Sequence, residues 1–208
     1  MRAPHRDRRG PLLAALCALL LIPVLAAALP AADYRIEENG TAYTATVELE
    51  QAEVYAFAEP GVLGEQVPAR VSGIRLAAPN GTGVTYEDLG GSVISFPRGN
   101  YTISFAGEIK DSQLQQVYDR AYRANVTVPA VYNVTNPILG GYSQGANVTT
   151  LPGGATELTW QSTREVRVRF YDSGRESLLW FFATTWVVVA IVLLFPFLLN
   201  RLARGGRP

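Results

Sequence analysis

The chain has 208 residues, 48% of them hydrophobic, with 18 basic side chains against 18 acidic ones, one histidine and one cysteine. The balance is segregated: residues 33–176 hold 11 basic and 17 acidic side chains, a net of −6, and the compensating positive charge sits at the termini. So acidic a central region is no nucleic-acid surface, and because His5 and Cys17 both precede it, it has no disulfide, no His-ligated zinc and no Ser-His-Asp or Cys-His nucleophile.

Arg2, Arg6, Arg8 and Arg9, offset by Asp7, precede an apolar stretch from Leu12 to about Leu29, so residues 1–32 read as a secretory signal. Ala26 and Ala28 supply the small side chains that signal peptidase needs at −3 and −1. A cut after Ala32 would instead place Pro30 at −3. Retained, the stretch would be an N-terminal anchor, near the lower spanning limit of ~17 residues. Leu16 is too bulky for the position before a lipidated Cys17.

Residues 33–174 read as an extracellular β domain, built on period-two alternation broken by Gly and Pro. Tyr43, Ala45, Val47 and Leu49 share one strand face, opposite Thr44, Thr46, Glu48 and Glu50, and Val54 to Phe57 reads as a bent continuation. Arg70 to Leu76 is another strand. Ser92 to Phe96 and Tyr101 to Phe105 read as a hairpin turned by Pro97-Arg98-Gly99-Asn100. Leu114, Val117, Tyr118 and Ala121 recur at helical spacing, so one short helix is expected over Asp111 to Tyr122, capped by Asp111 or Ser112. Leu158 with Trp160, then Val166, Val168 and Phe170, read as the final two strands. Loops are expected at Pro60 to Gly64, Pro79 to Gly83 and Pro137 to Gly145. Many strands and few helices favour an antiparallel β-sandwich-like fold, although the Cys-Trp-Cys pattern of immunoglobulin domains is missing.

Leu178 to Leu199 carries no charge, and 22 residues at ~1.5 Å each reach roughly 33 Å, enough for a hydrocarbon core of ~30 Å. Residues 178–199 are therefore read as a transmembrane helix, with Trp180 at the outer interface and residues 200–208 as a basic cytoplasmic tail carrying Arg201, Arg204 and Arg207. Pro196 suggests a local bend, and an uncharged span offers no conduction pathway. The expected location is the cell membrane, single-pass, with the N-terminal domain outside.

Six of the seven asparagines between signal and span begin Asn-X-Thr: Asn39, Asn80, Asn100, Asn125, Asn133 and Asn147. Each is a candidate N-glycosylation acceptor, and such glycan is confined to exposed surface. Glu48 with Glu50, Glu87-Asp88, and Arg164, Arg167, Arg169 and Arg175 read as solvated strand faces or loops, in preference to a carboxylate pair, a Ca²⁺ site or a lipid-binding patch. The tyrosines and phenylalanines read as core and cross-strand pairs, in preference to a sugar-binding platform. Lys110 is the only lysine, so carboxylate or Ser-Lys chemistry is all that remains to an enzyme.

Phe96-Pro-Arg-Gly-Asn-Tyr-Thr-Ile-Ser-Phe105, Tyr132-Asn-Val-Thr-Asn-Pro-Ile-Leu-Gly-Gly141, Glu157-Leu-Thr-Trp160 and Val166-Arg-Val-Arg-Phe-Tyr-Asp172 carry a resemblance. The chain resembles an archaeal family of exported, membrane-anchored surface proteins without assigned function. That resemblance implies an archaeal cell-surface location and supplies no catalytic residues. Relatives that begin with a lipoprotein-type cysteine differ from the Leu16-Cys17 context here. The expected function is a non-enzymatic binding or structural role at the envelope, without cofactor or metal. Its partners would be the lipid bilayer and another envelope protein or a surface glycan. The alternatives are an accessory subunit of a membrane complex or transporter, and a carboxylate-dependent envelope hydrolase.

Overall fold

Four strands of 14 to 16 residues carry the fold in the computed structural model, which describes residues 28–61 and 63–205. The first 27 residues of the segment read as a signal, and the last three of the tail, lie outside the described residues. The elements are β1 (Ala31–Ile36), β2 (Ala42–Ala56), β3 (Ala58–Pro60), β4 (Gln66–Pro68), β5 (Val71–Ala77), β6 (Gly83–Val84), β7 (Glu87–Gly90), β8 (Val93–Glu108), β9 (Gln113–Val128), β10 (Tyr132–Asn133), β11 (Gly141–Tyr142), β12 (Asn147–Thr150), β13 (Thr156–Arg169), β14 (Tyr171–Asp172) and α1 (Ser173–Gly205).

One ten-stranded sheet runs β11–β13–β9–β1–β2–β8–β5–β6, with β12 beside β13 and β7 beside β8; β3–β4 and β10–β14 form two small pairs. Every pairing within it is antiparallel except β1 with β9, where Ala31 to Arg35 run alongside Arg123 to Thr127. The sheet becomes two layers because its long ribbons bend. Between Leu49 and Val54 the β2–β8 register slips by one extra residue on β2 and then by Pro97 and Arg98 on β8. In the β9–β13 ribbon, residues 118–121 of β9 stand opposite Arg164 alone. Beyond each bulge the ribbon turns back. The ring of Phe57, past the end of β2, lies 4.9 Å from Phe105, which pairs with Ala45 early in β2. Phe170, past the end of β13, lies 4.8 Å from Tyr132, beyond the opposite end of β9. Bulges thus make the corners of a sandwich whose two faces enclose one core.

The alternation of β2 is as expected, with Tyr43, Ala45, Val47 and Leu49 buried and their neighbours exposed. β1 contributes Ala32, Tyr34 and Ile36 to the same core, and β13 contributes Leu158, Trp160, Val166 and Val168. Ala31 and Ala32, at the end of the segment read as a signal, are the first residues of β1, and Ala32 is fully buried.

Three expectations are corrected. Asp111 to Tyr122 is no helix: Asp111 and Ser112 both turn with φ near +54°, and Gln113–Val128 is a strand. Leu114 and Gln116 pair with Val168 and Val166 and point inward, while Val117 points out, so ladder formation and burial override the apparent helical spacing. The hairpin expected around Pro97 is instead the single bent strand β8. Pro97 sits in its bulge, where no ladder hydrogen bond requires its missing N–H. The two final strands are likewise one, β13, bent between Trp160 and Glu165.

Strand becomes helix without a linker. Tyr171 is buried and pairs with Asn133, Asp172 pairs with Tyr132, and the helix begins at Ser173. The Arg175 N–H donates to Asp172 Oδ1 at 2.8 Å, so the last strand residue is the N-cap of α1. Ser173–Phe197 is long and apolar enough to cross a membrane, and its large side chains are exposed. The helix runs on past Pro196 to Gly205.

Trp160 is the largest fully buried side chain, and its Nε1–H donates to the Ser143 carbonyl at 3.3 Å. Trp160→Ala should therefore cost about 3–5 kcal/mol, read as a lowered urea midpoint by circular dichroism on the full chain. A shift below 1 kcal/mol, on the order of a surface substitution, would show that the corner tolerates a cavity.

Candidate functional site

The two bulged corners face each other, and side chains from β9 fasten one layer to the other. Gln116 Nε2 donates to Tyr43 Oη at 3.1 Å, Tyr118 Oη to Tyr34 Oη at 3.0 Å, and Tyr122 Oη to the Glu48 carbonyl at 3.1 Å. Gln116 stands apart from the apolar and aromatic residues of the core as the one buried amide or charged side chain among the described residues. Its bond to Tyr43 satisfies a group that would otherwise cost about 1–3 kcal/mol.

Around this seam the layers part into a cleft of about 310 Å³. Tyr55, Tyr118 and Tyr122 supply aromatic walls, with Tyr118 and Tyr122 stacked at 4.6 Å and 27°. Val54 and Val117 expose their apolar side chains beside them, and the rim carries Asp119 and the Arg120–Glu50 ion pair at 3.8 Å. On the other side of Gln116 is a second cleft of about 450 Å³. Its lining is acidic, with Glu59, Glu65, Glu108 and Asp111, and Lys110 is paired to Glu59. Flat aromatic faces ringed by carboxylate, guanidinium and amide groups suit a sugar ring or a peptide segment, which can be both stacked upon and hydrogen-bonded.

Burial raises the hydroxyl pKa of every tyrosine in this cluster. Tyr43 is pushed up to about 12 by desolvation first and then by the Glu59 carboxylate, against the stabilising Gln116 bond. Tyr122 is pushed up to about 12 by desolvation and then Asp119. Tyr34, Tyr55 and Tyr118 are raised as well, again chiefly by desolvation.

The structure disperses the residues singled out in the sequence. Glu48 accepts the Ala31 N–H at 2.8 Å, and Glu50 pairs with Arg120. Asp88, on the exposed strand β7, accepts the N–H of Gly90 at 2.8 Å. Arg167 pairs with Glu165, and Arg175 lies in the first turn of α1. No group of three or more His, Cys, Asp or Glu side chains is arranged to hold a metal ion among the described residues. The aromatic reading held for Tyr34, Tyr43, Phe57 and Phe105, which pack in the core. It missed the cleft, because only the β9 bulge brings Tyr118 and Tyr122 over the bend of β2.

The sequon asparagines occupy turns, bends and edges, with one exception. Asn39 and Asn80 are exposed in the β1–β2 and β5–β6 turns, where each Oδ1 accepts the N–H of its own Thr41 or Thr82. Asn100 is exposed at the β8 bend. Its Oδ1 accepts from both the backbone and side-chain N–H groups of Gln51, a residue held at φ near +51°. Asn133 in β10 and Asn147 in edge strand β12 are exposed. Asn125 is the exception: it lies in β9 between β1 and β13, half-buried, with Nδ2 donating to Asp33 at 2.8 Å.

A raised tyrosine pKa means that the folded state holds its proton more tightly than the unfolded chain. Stability is therefore full below about pH 10 and is lost as pH rises from 10 towards 12, the values for Tyr43 and Tyr122. Alkaline titration should show the clustered tyrosines ionising together with loss of β circular dichroism, after the exposed ones. Free titration of all of them near the ordinary value with the fold intact would contradict this.

Residues 30–201 match the model of a family described as a family of unknown function (DUF5803). No curated protein matches the chain.

Proposed function

The chain belongs to the family of unknown function DUF5803, and from that premise we propose that it is an exported, membrane-anchored, N-glycosylated surface module of an archaeal cell. In this reading it is no enzyme. It holds a binding cleft away from the bilayer for a surface glycan or another envelope protein. The observation that carries the reading is the junction at Asp172: the capped helix follows the sheet without a linker, and the tyrosine cleft lies at the bulged bends midway along the long strands, where the ribbons turn back. Export with a cut after Ala28 would leave Ala31 and Ala32 in place to complete β1.

An accessory role within a membrane complex would need contacts along the helix. The hydroxyls of Thr184 and Thr185 are already taken up by the carbonyls of Trp180 and Phe181, so such contact would rest on packing at Ala183 and Ala190. Replacing residues 178–199 with an unrelated spanning helix should leave a surface binder active and an accessory subunit inactive.

Crosslinking in intact cells followed by mass spectrometry should capture a partner through residues around Tyr55 and Tyr118. A chain that stays uncrosslinked and monomeric would count against the binding role. Asn80, Asn100 and Asn147 stand on exposed turns, bends and edges away from the helix and are the acceptors on which glycan is most expected. Thr82→Ala, Thr102→Ala and Thr149→Ala remove these sequons without touching the asparagines, and each should eliminate one modified peptide on mass mapping. Unmodified asparagines throughout the wild-type chain would end the glycosylation proposal. Asn100→Ala, in contrast, also removes the acceptor for Gln51 and should cost about 1 kcal/mol of stability whether or not glycan is present.

A further inference from the structure

Two exposed apolar side chains stand at the end of the domain from which the helix leaves. Val131, 58% exposed, is at the tip of the turn after β9, where the Tyr132 N–H donates to the Pro129 carbonyl. Ile138, 67% exposed, is at the tip of the turn after β10, where the N–H groups of Ile138 and Leu139 donate to Asn136 Oδ1.

Both turns are fixed to the strand–helix junction. Tyr132, next to Val131, pairs with Asp172, the N-cap of α1. The Asn136 N–H donates to Tyr171 Oη at 3.2 Å, and Gly140 closes the second turn with only 3.0 Å between the Cβ it lacks and the Tyr171 ring. Tyr132 Oη also donates to the Glu38 carbonyl, which places the β1–β2 turn at this same end. From there β2 runs seven residue steps, Ala42 to Leu49, or roughly 23 Å, before reaching the bend that holds Arg98.

The polar first turns of α1, residues 173–177, lie between Asp172 and the uncharged stretch starting at Leu178. Five residues at ~1.5 Å give roughly 7.5 Å, about the depth of one headgroup layer, since ~40–45 Å of total bilayer encloses ~30 Å of hydrocarbon. The base of the domain therefore meets the outer edge of that layer. Isolated apolar side chains at loop tips there gain by leaving water.

Resting on the reading that α1 spans the membrane, we propose that Val131 and Ile138 seat the domain in the lipid headgroup layer, giving the bilayer a second contact surface besides the helix. The full chain, with Cys17→Ser as background, is reconstituted in phosphatidylcholine vesicles containing a headgroup-tethered nickel chelate. Spin labels are placed singly at V131C, I138C, R98C and V188C. Nickel should relax the labels at V131C and I138C several-fold more than the label at R98C, while the V188C label should show oxygen access and little nickel access. Labels at V131C and I138C no more relaxed than that at R98C, with V188C in lipid, overturn the seating alone. A V188C label without the lipid signature overturns the spanning helix and the seating with it.

Discussion

A six-residue strand joins everything else. The β2–β8 and β9–β13 ribbons share no ladder; β1 stands between them, antiparallel to one and parallel to the other, and its inward side chains Ala32, Tyr34 and Ile36 enter a core both ribbons contribute to. Parallel pairing of β1 with β9 brings together segments about ninety residues apart, so the join closes a long loop at a cost in chain entropy that the pairing and the shared core must offset. The described domain has no cysteine to fix that arrangement covalently, and burial with complete backbone pairing has to hold it.

Period-two patterning made the β class and the inward face of β2 legible, because one face of each strand had to leave water. It failed at bends. Around Pro97, between Trp160 and Glu165, and after Asp111, a break in alternation looked like the end of an element. In each case it marks a bulge or turn where a long strand changes layer or begins. Local propensity cannot distinguish a hairpin from a bulged strand, since Pro, Gly and a displaced phase belong to both. The cleft was hidden for the same reason: Tyr55 and Tyr118 are 63 positions apart, and only two coinciding bends bring them together.

The residues lining that cleft hold structure as well as offer contact. Tyr118 and Tyr122 have their hydroxyls committed to Tyr34 and Glu48, which fixes their orientation; Tyr122 is buried under the stack, and half-buried Tyr118 is the ring of the two that the cleft presents. A surface whose rings are already locked loses little side-chain entropy when a ligand arrives, the condition under which small contact areas bind usefully. The ion pair of Glu50 with Arg120 is half-exposed and contributes little to stability, so its charges stay free to exchange partners.

The Asp172 cap ties direction as well as position. With no residue between a paired strand and the first helical turn, the azimuth of the sheet about the helix axis is set by the azimuth of the helix. An α-helix advances by about 100° per residue, so one residue inserted at this junction would turn the whole domain, and the direction its cleft faces, through more than a quarter circle about the helix axis.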